Sequence, residues 1–283
     1  MTTVVGATAG TARTRDGVEL RTLRWPAVGA ARAHLLLIHG IAEHAGRHAQ
    51  VASRFASAGV DVHAFDLRGF GASSGRRAYV DSWSQYHDDV EDQLTRVRGE
   101  AGALPVVLYG HSMGGLIALG YVLADPPRRL PDLLVLSAPA IAAVVARWKR
   151  SLAEVLGRVA PRMEIANALP PGGLSHDPQV EVAYRSDPLN VHRTTTRLGL
   201  ELFREQARVA ARLRQIGPLP MPAYVLHGTD DRIVPVSGSA SLEKRTNVTR
   251  RVYPGLRHEM HNEPEAASVI DDTMAWILAQ VGA

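Results

Sequence analysis

Cysteine is absent from the 283-residue sequence, so the fold contains neither disulfide bonds nor thiolate metal sites. A reducing compartment is compatible with this absence. The sequence also lacks the basic start and apolar run of a secretory signal, and no uncharged apolar stretch is long enough to span a bilayer. We therefore expect a cytoplasmic protein, and peripheral association with a membrane stays open.

A large excess of one charge sign is lacking as well. The 32 Lys and Arg against 28 Asp and Glu give a formal net charge of +4, and the basic residues are scattered along the chain. Nucleic-acid binding calls for a clustered basic face with motif support, so we expect no nucleic-acid partner. With 46% hydrophobic and 21% charged residues, the chain is long enough to bury a sizeable core.

Short apolar runs alternate with helical patterns along most of the chain. The run HLLLIHG, from His34 to Gly40, predicts a strand buried on both faces, and the segment Gly46–Gly59 predicts a helix after it. The same signals predict strands at 60–69 and 104–110 and from Leu133, Ala223 and Arg250, and helices at 84–102, 115–125 and 264–281. This alternation is typical of an α/β fold with right-handed crossovers and a mostly parallel sheet.

One serine lies between glycines at the junction of a predicted strand and helix. The stretch YGHSMGGL follows the G-x-S-x-G pattern, with Ser112 between Gly110 and Gly114. In a strand-turn-helix setting this pattern exposes a nucleophilic hydroxyl on a strained turn, while the glycines leave room where the strand and helix backbones pass. The same glycines would also permit an ordinary tight turn. The position, at the C-terminal edge of a parallel sheet, favours the nucleophile.

A serine nucleophile needs a base, and the base needs an acid that fixes its tautomer. In this topology the chain order is serine, acid, histidine. The loop after the strand AYVLHG offers Asp230 and Asp231, and the loop after the next strand offers His258 and His261. The spacing leaves both choices open.

Five ordered segments resemble the monoacylglycerol lipase branch of the α/β-hydrolases, which is close to lysophospholipases and bacterial carboxylesterases. They are HGIAEHAGRH, FDLRGFGASSGRR, GHSMGG, HGTDDRIVP and YPGLRHEMHNEPE, and the resemblance extends from about His34 to Trp276. The family's acid motif HG-x-x-D implies Asp231, and its base motif implies His258. The chain departs from the family where His48 replaces a tyrosine and Phe70 replaces a histidine.

An acyl-transfer site also needs backbone donors for the oxyanion of the tetrahedral intermediate. One N–H is expected from Met113, the residue after the nucleophile. The resemblance implies that the second comes from Ile41, in the loop after the HG strand.

Metal catalysis is the alternative that the histidines raise. His44 and His48 are four residues apart, but no zinc-protease pattern joins them, and HEMH at residues 258–261 has the wrong spacing for H-E-x-x-H. No glycine-rich stretch forms a dinucleotide or phosphate-loop motif. We therefore expect no metal and no organic cofactor.

The alternation breaks between the strands at Leu133 and Ala223. We predict a helical cap at residues 140–215, inserted between two parts of the hydrolase core at residues 1–139 and 216–283. Its first segment repeats apolar residues at helical spacing, with basic residues around them. The cap residues Val144, Val145 and Trp148 are candidates for the acyl-binding tunnel, so their replacement by serine should impair turnover of long-chain esters more than acetyl esters. The same helix is a candidate for transient contact with a lipid surface, against the alternative that it simply packs on the core. The segment SHDPQVEVAYRSDPL also resembles the family's cap.

The resemblance implies a serine ester hydrolase that cleaves monoacylglycerols, as lipid ester substrates, to glycerol and a free fatty acid through an acyl-enzyme. A lysophospholipase and a general carboxylesterase with the same triad are the nearest alternatives. A non-lipid hydrolase and a non-catalytic ligand-binding protein stay open, since a fold does not fix a function.

Overall fold

The computed structural model describes residues 5–142, 147–167 and 169–282. A central sheet of eight strands carries the fold, in the order β1-β2-β4-β3-β5-β6-β9-β10. These strands are β1 (Thr8–Arg13), β2 (Glu19–Trp25), β3 (Ala33–Ile38), β4 (Val60–Phe65), β5 (Val106–His111), β6 (Leu133–Ser137), β9 (Ala223–Gly228) and β10 (Val248–Tyr253). The six strands from β3 onwards pair in parallel, as the alternating pattern predicts.

The parallel strands in the middle of the sheet are apolar because helices cover both of their faces. Every residue of β3, β4, β5, β6 and β9 is buried. The helices of the core are α1 (Ala49–Ser57), α2 (Ser84–Ala101), α3 (Met113–Val122), α7 (Val236–Glu243) and α8 (Ala266–Val281), with short 3₁₀ turns at Ala45–His48 and Met260–Asn262. One apolar cluster includes residues of α2 and α3, and a second includes residues of α1 and α8. The sheet therefore lies between two buried layers, an arrangement typical of α/β domains.

The N-terminal strands differ from the predicted pattern. Strand β1 pairs antiparallel with β2, and β2 pairs antiparallel with β4, so the first edge of the sheet runs against the rest. The alternating pattern did not predict these two strands, because five of the six residues of β1 are exposed and carry no apolar signal.

Between β6 and β9 the chain leaves the sheet. It forms α4 (Arg147–Val159), β7 (Glu164–Ala166), α5 (Pro178–Ser186), β8 (Arg193–Thr195) and α6 (Thr196–Gln215), with β7 and β8 paired as a small antiparallel sheet. Helix α6 anchors this segment to the core: the Gln206 side chain donates to the carbonyl of Ala140, and Arg208 donates to the carbonyl of Gly120 on α3. The cap boundaries at 140 and 215 stay a prediction.

Candidate active site

Ser112 lies at the sharp turn between β5 and α3. Its backbone has φ 52° and ψ −117°, a conformation that non-glycine residues rarely adopt. The turn is held on both sides, because the Ser112 N–H donates to the carbonyl of Ser137 and the Ser112 carbonyl accepts from the N–H of Ala140. The strain is thus stabilised by the neighbouring strand, as a nucleophile turn requires.

The two glycines of the motif are needed for close backbone approach. A Cβ on Gly110 would lie 2.4 Å from the carbonyl oxygen of Gly114, and one on Gly114 would lie 2.3 Å from the carbonyl oxygen of Ile38. Both distances are far inside van der Waals contact. The pattern G-x-S-x-G therefore lets α3 start directly against β3 and β5.

Asp231 and His258 meet at the ends of β9 and β10. The Nδ1 atom of His258 lies 2.7 Å from Oδ2 of Asp231. The other carboxylate oxygen accepts the N–H groups of Ile233 and Val234, each at 2.8 Å. Asp231 is therefore fixed as an acceptor, while the neighbouring Asp230 is exposed.

The environment of this pair sets its charge. Burial lowers the pKa of His258, but the negative charge of Asp231 and its hydrogen bond outweigh burial, so the pKa is raised above the usual 6.5. Burial would raise the pKa of the Asp231 carboxyl, yet His258 and the hydrogen bonds that it accepts hold that pKa well below its usual range. Asp231 is thus ionised, and His258 is a stronger base than an isolated imidazole.

His227 supports Asp231 from behind, a contact that sequence reasoning missed. Its Nε2 lies 3.2 Å from Oδ2 of Asp231 and 3.1 Å from the carbonyl oxygen of Val234. Because both of these atoms are acceptors, Nε2 carries a hydrogen. The histidine before the glycine in HG-x-x-D was the only signal for this role.

The loop that follows β3 lies directly against the nucleophile. A Cβ on Gly40 would lie 3.1 Å from the Cβ of Ser112. The N–H of Leu67 donates to Nε2 of His39, so Nδ1 of His39 holds the hydrogen and donates to the carbonyl of Gly40 at 2.7 Å. In a trans peptide the N–H points opposite to the carbonyl, so the N–H of Ile41 is turned away from His39.

Glu43 holds the same loop from the other side. Its Oε1 accepts the N–H of Gly40 at 2.6 Å, and lies 3.1 Å from Nε2 of His48. Its second oxygen accepts from Arg47, which also donates to both carboxylate oxygens of Glu259. This buried network, which was also missed, rigidifies the loop that carries Ile41.

Met113 is the first residue of α3 and is fully buried. The first four N–H groups of a helix have no partner inside the helix, so the Met113 amide is available at the turn that carries Ser112. Such helix starts favour negative charge. The two backbone donors inferred from sequence therefore belong to two segments. Ile41 lies in the loop after β3, and Met113 is at the start of α3.

The two departures from the family pattern are both buried beside the site. His48 stacks on His261, with ring centroids 4.6 Å apart, and Phe70 packs edge-on against His39 at 6.0 Å. Burial lowers the pKa of His261 well below the usual 6.5, so this ring is neutral at pH 7. His258, and not His261, is the histidine that contacts Asp231.

A cavity of about 220 Å³ opens over the serine. Its lining includes Ser112, His258 and Ile41, the predicted oxyanion donor, together with apolar side chains of the segment between β6 and β9 and of the Asp231 loop. The apolar members are Leu169, Leu174, Tyr184 and Ile233. The structure thus brings the predicted nucleophile and base to one cavity.

Of the three predicted tunnel residues, two lie outside the described residues and one is exposed on α4. Val144 and Val145 lie outside the described residues. Trp148 lies on α4 with 64% of its surface exposed, and it is not among the residues described as lining the cavity at Ser112. The acyl-tunnel role of these three residues stays a prediction.

The histidine pairs considered as metal ligands point to different partners. His44 hydrogen-bonds Asp187 at 2.9 Å, whereas His48 faces Glu43. His258 is bound to Asp231, whereas His261 stacks on His48. Neither pair converges on one point.

Known proteins are similar to this chain in sequence. A monoacylglycerol lipase from Mycolicibacterium smegmatis is 38% identical over 260 residues, which cover 88% of this chain and 89% of that relative. The human monoglyceride lipase is 29% identical, over 93% of this chain and 88% of its own. These relatives confirm the resemblance inferred from the five segments.

Solved structures give the same result. The crystal structure of a monoacylglycerol lipase from Paleococcus ferrophilus matches with a TM-score of 0.80 at 29% identity, over 92% of this chain and 98% of that chain. A soluble variant of monoglyceride lipase from Saccharomyces cerevisiae, in complex with a substrate analog, matches with a TM-score of 0.84 over 98% and 96% of the two chains; at 23% identity it supports the fold alone. The predicted α/β-hydrolase fold is confirmed. Residues 29–265 match the family described as Hydrolase_4, serine aminopeptidase S33, and the chain belongs to that family.

Proposed function

We propose that this protein is a carboxylic ester hydrolase that cleaves monoacylglycerols to glycerol and a free fatty acid. The observation that carries the proposal is the common cavity of Ser112 and the Asp231-bound His258. The relatives named as monoacylglycerol lipases support the choice of a lipid ester as the substrate.

The chemistry follows from the positions of the three side chains. Nδ1 of His258 is committed to Asp231, so Nε2 is the nitrogen that takes the proton of Ser112 as its oxygen attacks the ester carbonyl. The imidazolium then protonates the leaving alkoxide, and the neutral ring activates the water that releases the fatty acid. Asp231 orients the ring and stabilises its charged form.

The backbone N–H groups of Ile41 and Met113 hold the oxyanion. The hydrogen bond that His39 donates to the Gly40 carbonyl supports the first donor, because it fixes the peptide that carries the Ile41 N–H. Glu43 accepts the N–H of Gly40 and fixes the preceding peptide. Donors that are already oriented need no reorganisation when charge develops, which is the main source of stabilisation in acyl transfer.

The charges around the cavity favour a neutral leaving alcohol. Its described lining holds the carboxylates Glu43 and Glu259 and no Lys or Arg. Arg47 lies behind them and is paired with both. An anionic phosphate head group would meet carboxylates without a free cation, whereas the hydroxyl groups of glycerol can donate to them. This favours a monoacylglycerol over a lysophospholipid.

We also propose that residues 140–215 act as a cap over the cavity. Leu169, Leu174 and Tyr184 come from this segment, which supports an acyl-binding wall contributed by it. No helix in the described parts of the chain is both long and apolar enough to cross a bilayer. Transient contact with lipid would then involve the exposed apolar side chains of α4.

The test compares wild type with Ser112→Ala on monoacylglycerols, matched lysophospholipids and p-nitrophenyl esters of increasing chain length. We expect kcat to fall by at least about 10⁴-fold in Ser112→Ala, and wild type to prefer monoacylglycerols over lysophospholipids with the same acyl chain. Full activity of Ser112→Ala would refute the triad. A preference for lysophospholipids or for short simple esters would keep the triad and refute the substrate.

A further inference from the structure

Two histidines and an aspartate converge at the edge of the sheet opposite to Ser112. His34 is the second residue of β3, and Asp61 and His63 are the second and fourth residues of β4, whereas Ser112 follows the end of β5. His34 pairs with Asp61 in the parallel register, and Asp61 and His63 are two residues apart, so all three side chains point to one face.

Their polar atoms are close enough to share one ligand. Nδ1 of His34 lies 3.2 Å from Nε2 of His63, which lies 3.0 Å from Oδ1 of Asp61. One ligand atom from each residue lies within 4.8 Å of the others. Ligand atoms about 2.0–2.2 Å from a tetrahedral zinc ion are separated by about 3.3–3.6 Å. Two of the three separations here, 3.2 Å and 3.0 Å, are close to that value, and the third is within 4.8 Å.

Hydrogen bonds alone do not satisfy all three of these side chains. If His63 donates its Nε2 hydrogen to Asp61, the same hydrogen must also be donated to Nδ1 of His34, and a hydrogen shared between two acceptors bonds weakly to each. If His34 donates to His63 instead, the lone pair of Nε2 faces the Asp61 carboxylate. His34 and Asp61 are buried, and His63 is the most accessible of the three.

A cation would use all three acceptor atoms at once. We propose that His34, Asp61 and His63 form a zinc-binding site, with imidazole and carboxylate ligands that suit Zn²⁺. An open cavity of about 390 Å³ reaches His63 and is also lined by Arg24 and Glu100. It gives the ion a path to the site, and it leaves the fourth ligand position to water.

Arg24 is the built-in competitor of this ion. Its Nε and one terminal nitrogen contact the two oxygens of Asp61 at 2.9 Å and 3.0 Å, and its other nitrogen contacts Glu100 at 3.2 Å. The guanidinium therefore neutralises part of the negative charge that would attract zinc. Removal of Arg24 should strengthen zinc binding, which a purely structural hydrogen-bond cluster would not do.

The bound ion would stabilise the fold rather than take part in ester hydrolysis. It would link β3 to β4 at the sheet edge opposite the nucleophile. A ligand that binds only the folded state raises the melting temperature as its concentration rises.

The test measures zinc binding by calorimetry on the chelator-treated full-length protein. We expect one Zn²⁺ per chain, affinity at least tenfold weaker in His34→Asn and His63→Gln, and affinity about tenfold tighter in Arg24→Gln. The two amides replace the coordinating nitrogens with a group of similar position that still forms hydrogen bonds. His192→Gln, on an exposed histidine, is the control that should bind as wild type does.

Zinc could instead bind the histidines of the active site, so His258→Gln is measured in parallel. Loss of binding in His258→Gln with retention in His34→Asn and His63→Gln would overturn the proposal, as would the absence of binding to wild type. Anomalous diffraction from a zinc-soaked wild-type crystal does not depend on whether any variant folds. It should place the ion among His34, Asp61 and His63, and a peak only elsewhere would refute the site.

Discussion

At the scale of single residues, the proposed acid, Asp231, is held by more hydrogen bonds than the proposed base, His258. Asp231 accepts two backbone N–H groups on one oxygen and faces two imidazoles with the other. A carboxylate held in this way cannot turn away from His258. The geometry supports Asp231 over Asp230 as the proposed acid, and it gives each of them a testable consequence.

Replacement of the two aspartates one at a time should separate them. In Asp231→Asn the amide no longer holds the His258 tautomer or stabilises the imidazolium, so kcat should fall by about 10⁴-fold. Asp230→Asn alters an exposed side chain and should retain activity within about twofold. Steady-state kinetics on one monoacylglycerol measures both, and equal losses would contradict the assignment.

The pH dependence of hydrolysis should report the raised pKa of His258. The base must be neutral to accept the serine proton, so kcat/KM falls when the imidazole is protonated. Because Asp231 raises this pKa above the usual 6.5, the acid limb should have its midpoint above pH 6.5. A midpoint below that value, in a profile recorded on a soluble ester, would show that burial dominates over the charge of Asp231.

Much of this residue-level site could be predicted from the sequence. The serine, acid and base each follow a buried strand, so their loops belong to one edge of the sheet. His39, Glu43 and His227 could not be assigned in this way, because their roles depend on which backbone N–H or carboxylate they contact. Those contacts are a property of the folded loops and not of spacing.

At the scale of elements, the proposed cap contains a close crossing of α4 and α6. Gly157 of α4 lies at this crossing: an added Cβ would be 2.6 Å from the Cβ of Leu200 and 2.9 Å from the carbonyl oxygen of Thr196. A larger residue must push the two helices apart. The crossing therefore controls how α4 sits on α6, which is itself anchored to α3.

Gly157→Ala should therefore destabilise the cap, by roughly 1–3 kcal/mol, and slow the turnover of long-chain esters. The matched control is Gly199→Ala on α6, where an added Cβ has nothing within 4 Å and helix propensity improves. Hydrogen exchange of α4 and α6 would measure the effect. Unchanged protection in Gly157→Ala would show that the helices accommodate the methyl group.

The elements were predictable to the extent that they are apolar. Strands buried on both faces and helices with one apolar stripe were predicted close to their observed positions, because burial leaves a pattern in the sequence. The hairpin β1–β2 was not, since β1 is mostly exposed, and the small sheet of β7 and β8 has only three residues in each strand.

At the scale of the whole molecule, exposed apolar surface is concentrated on one insertion. Nine large apolar residues are exposed in the described parts of the chain, and seven of them lie between Trp148 and Val182. The other two, Val28 and Leu130, lie outside the insertion. Such a concentration, on a chain with a net charge of +4, is typical of a surface that contacts anionic lipid.

Binding to vesicles should therefore depend on the cap and not on exposed apolar residues in general. The double variant Leu152→Ser, Val159→Ser should reduce partition onto anionic phospholipid vesicles by roughly tenfold, with hydrolysis of a soluble acetyl ester unchanged. The control is the double variant Val28→Ser, Leu130→Ser. It removes the same number of exposed apolar side chains outside the insertion and should bind vesicles as wild type does. Equal binding by both variants in a flotation assay would locate the contact elsewhere.

The insertion between β6 and β9 separates the proposed catalytic residues along the chain. The oxyanion loop and Ser112 come before it, Asp231 and His258 come after it, and the strands on its two sides are hydrogen-bonded neighbours in the sheet. A break in the backbone inside the insertion would leave two fragments, each with an incomplete triad and an unpaired strand edge. Hydrolysis would then return only when β6 of one fragment pairs with β9 of the other, so ester turnover would measure fragment association.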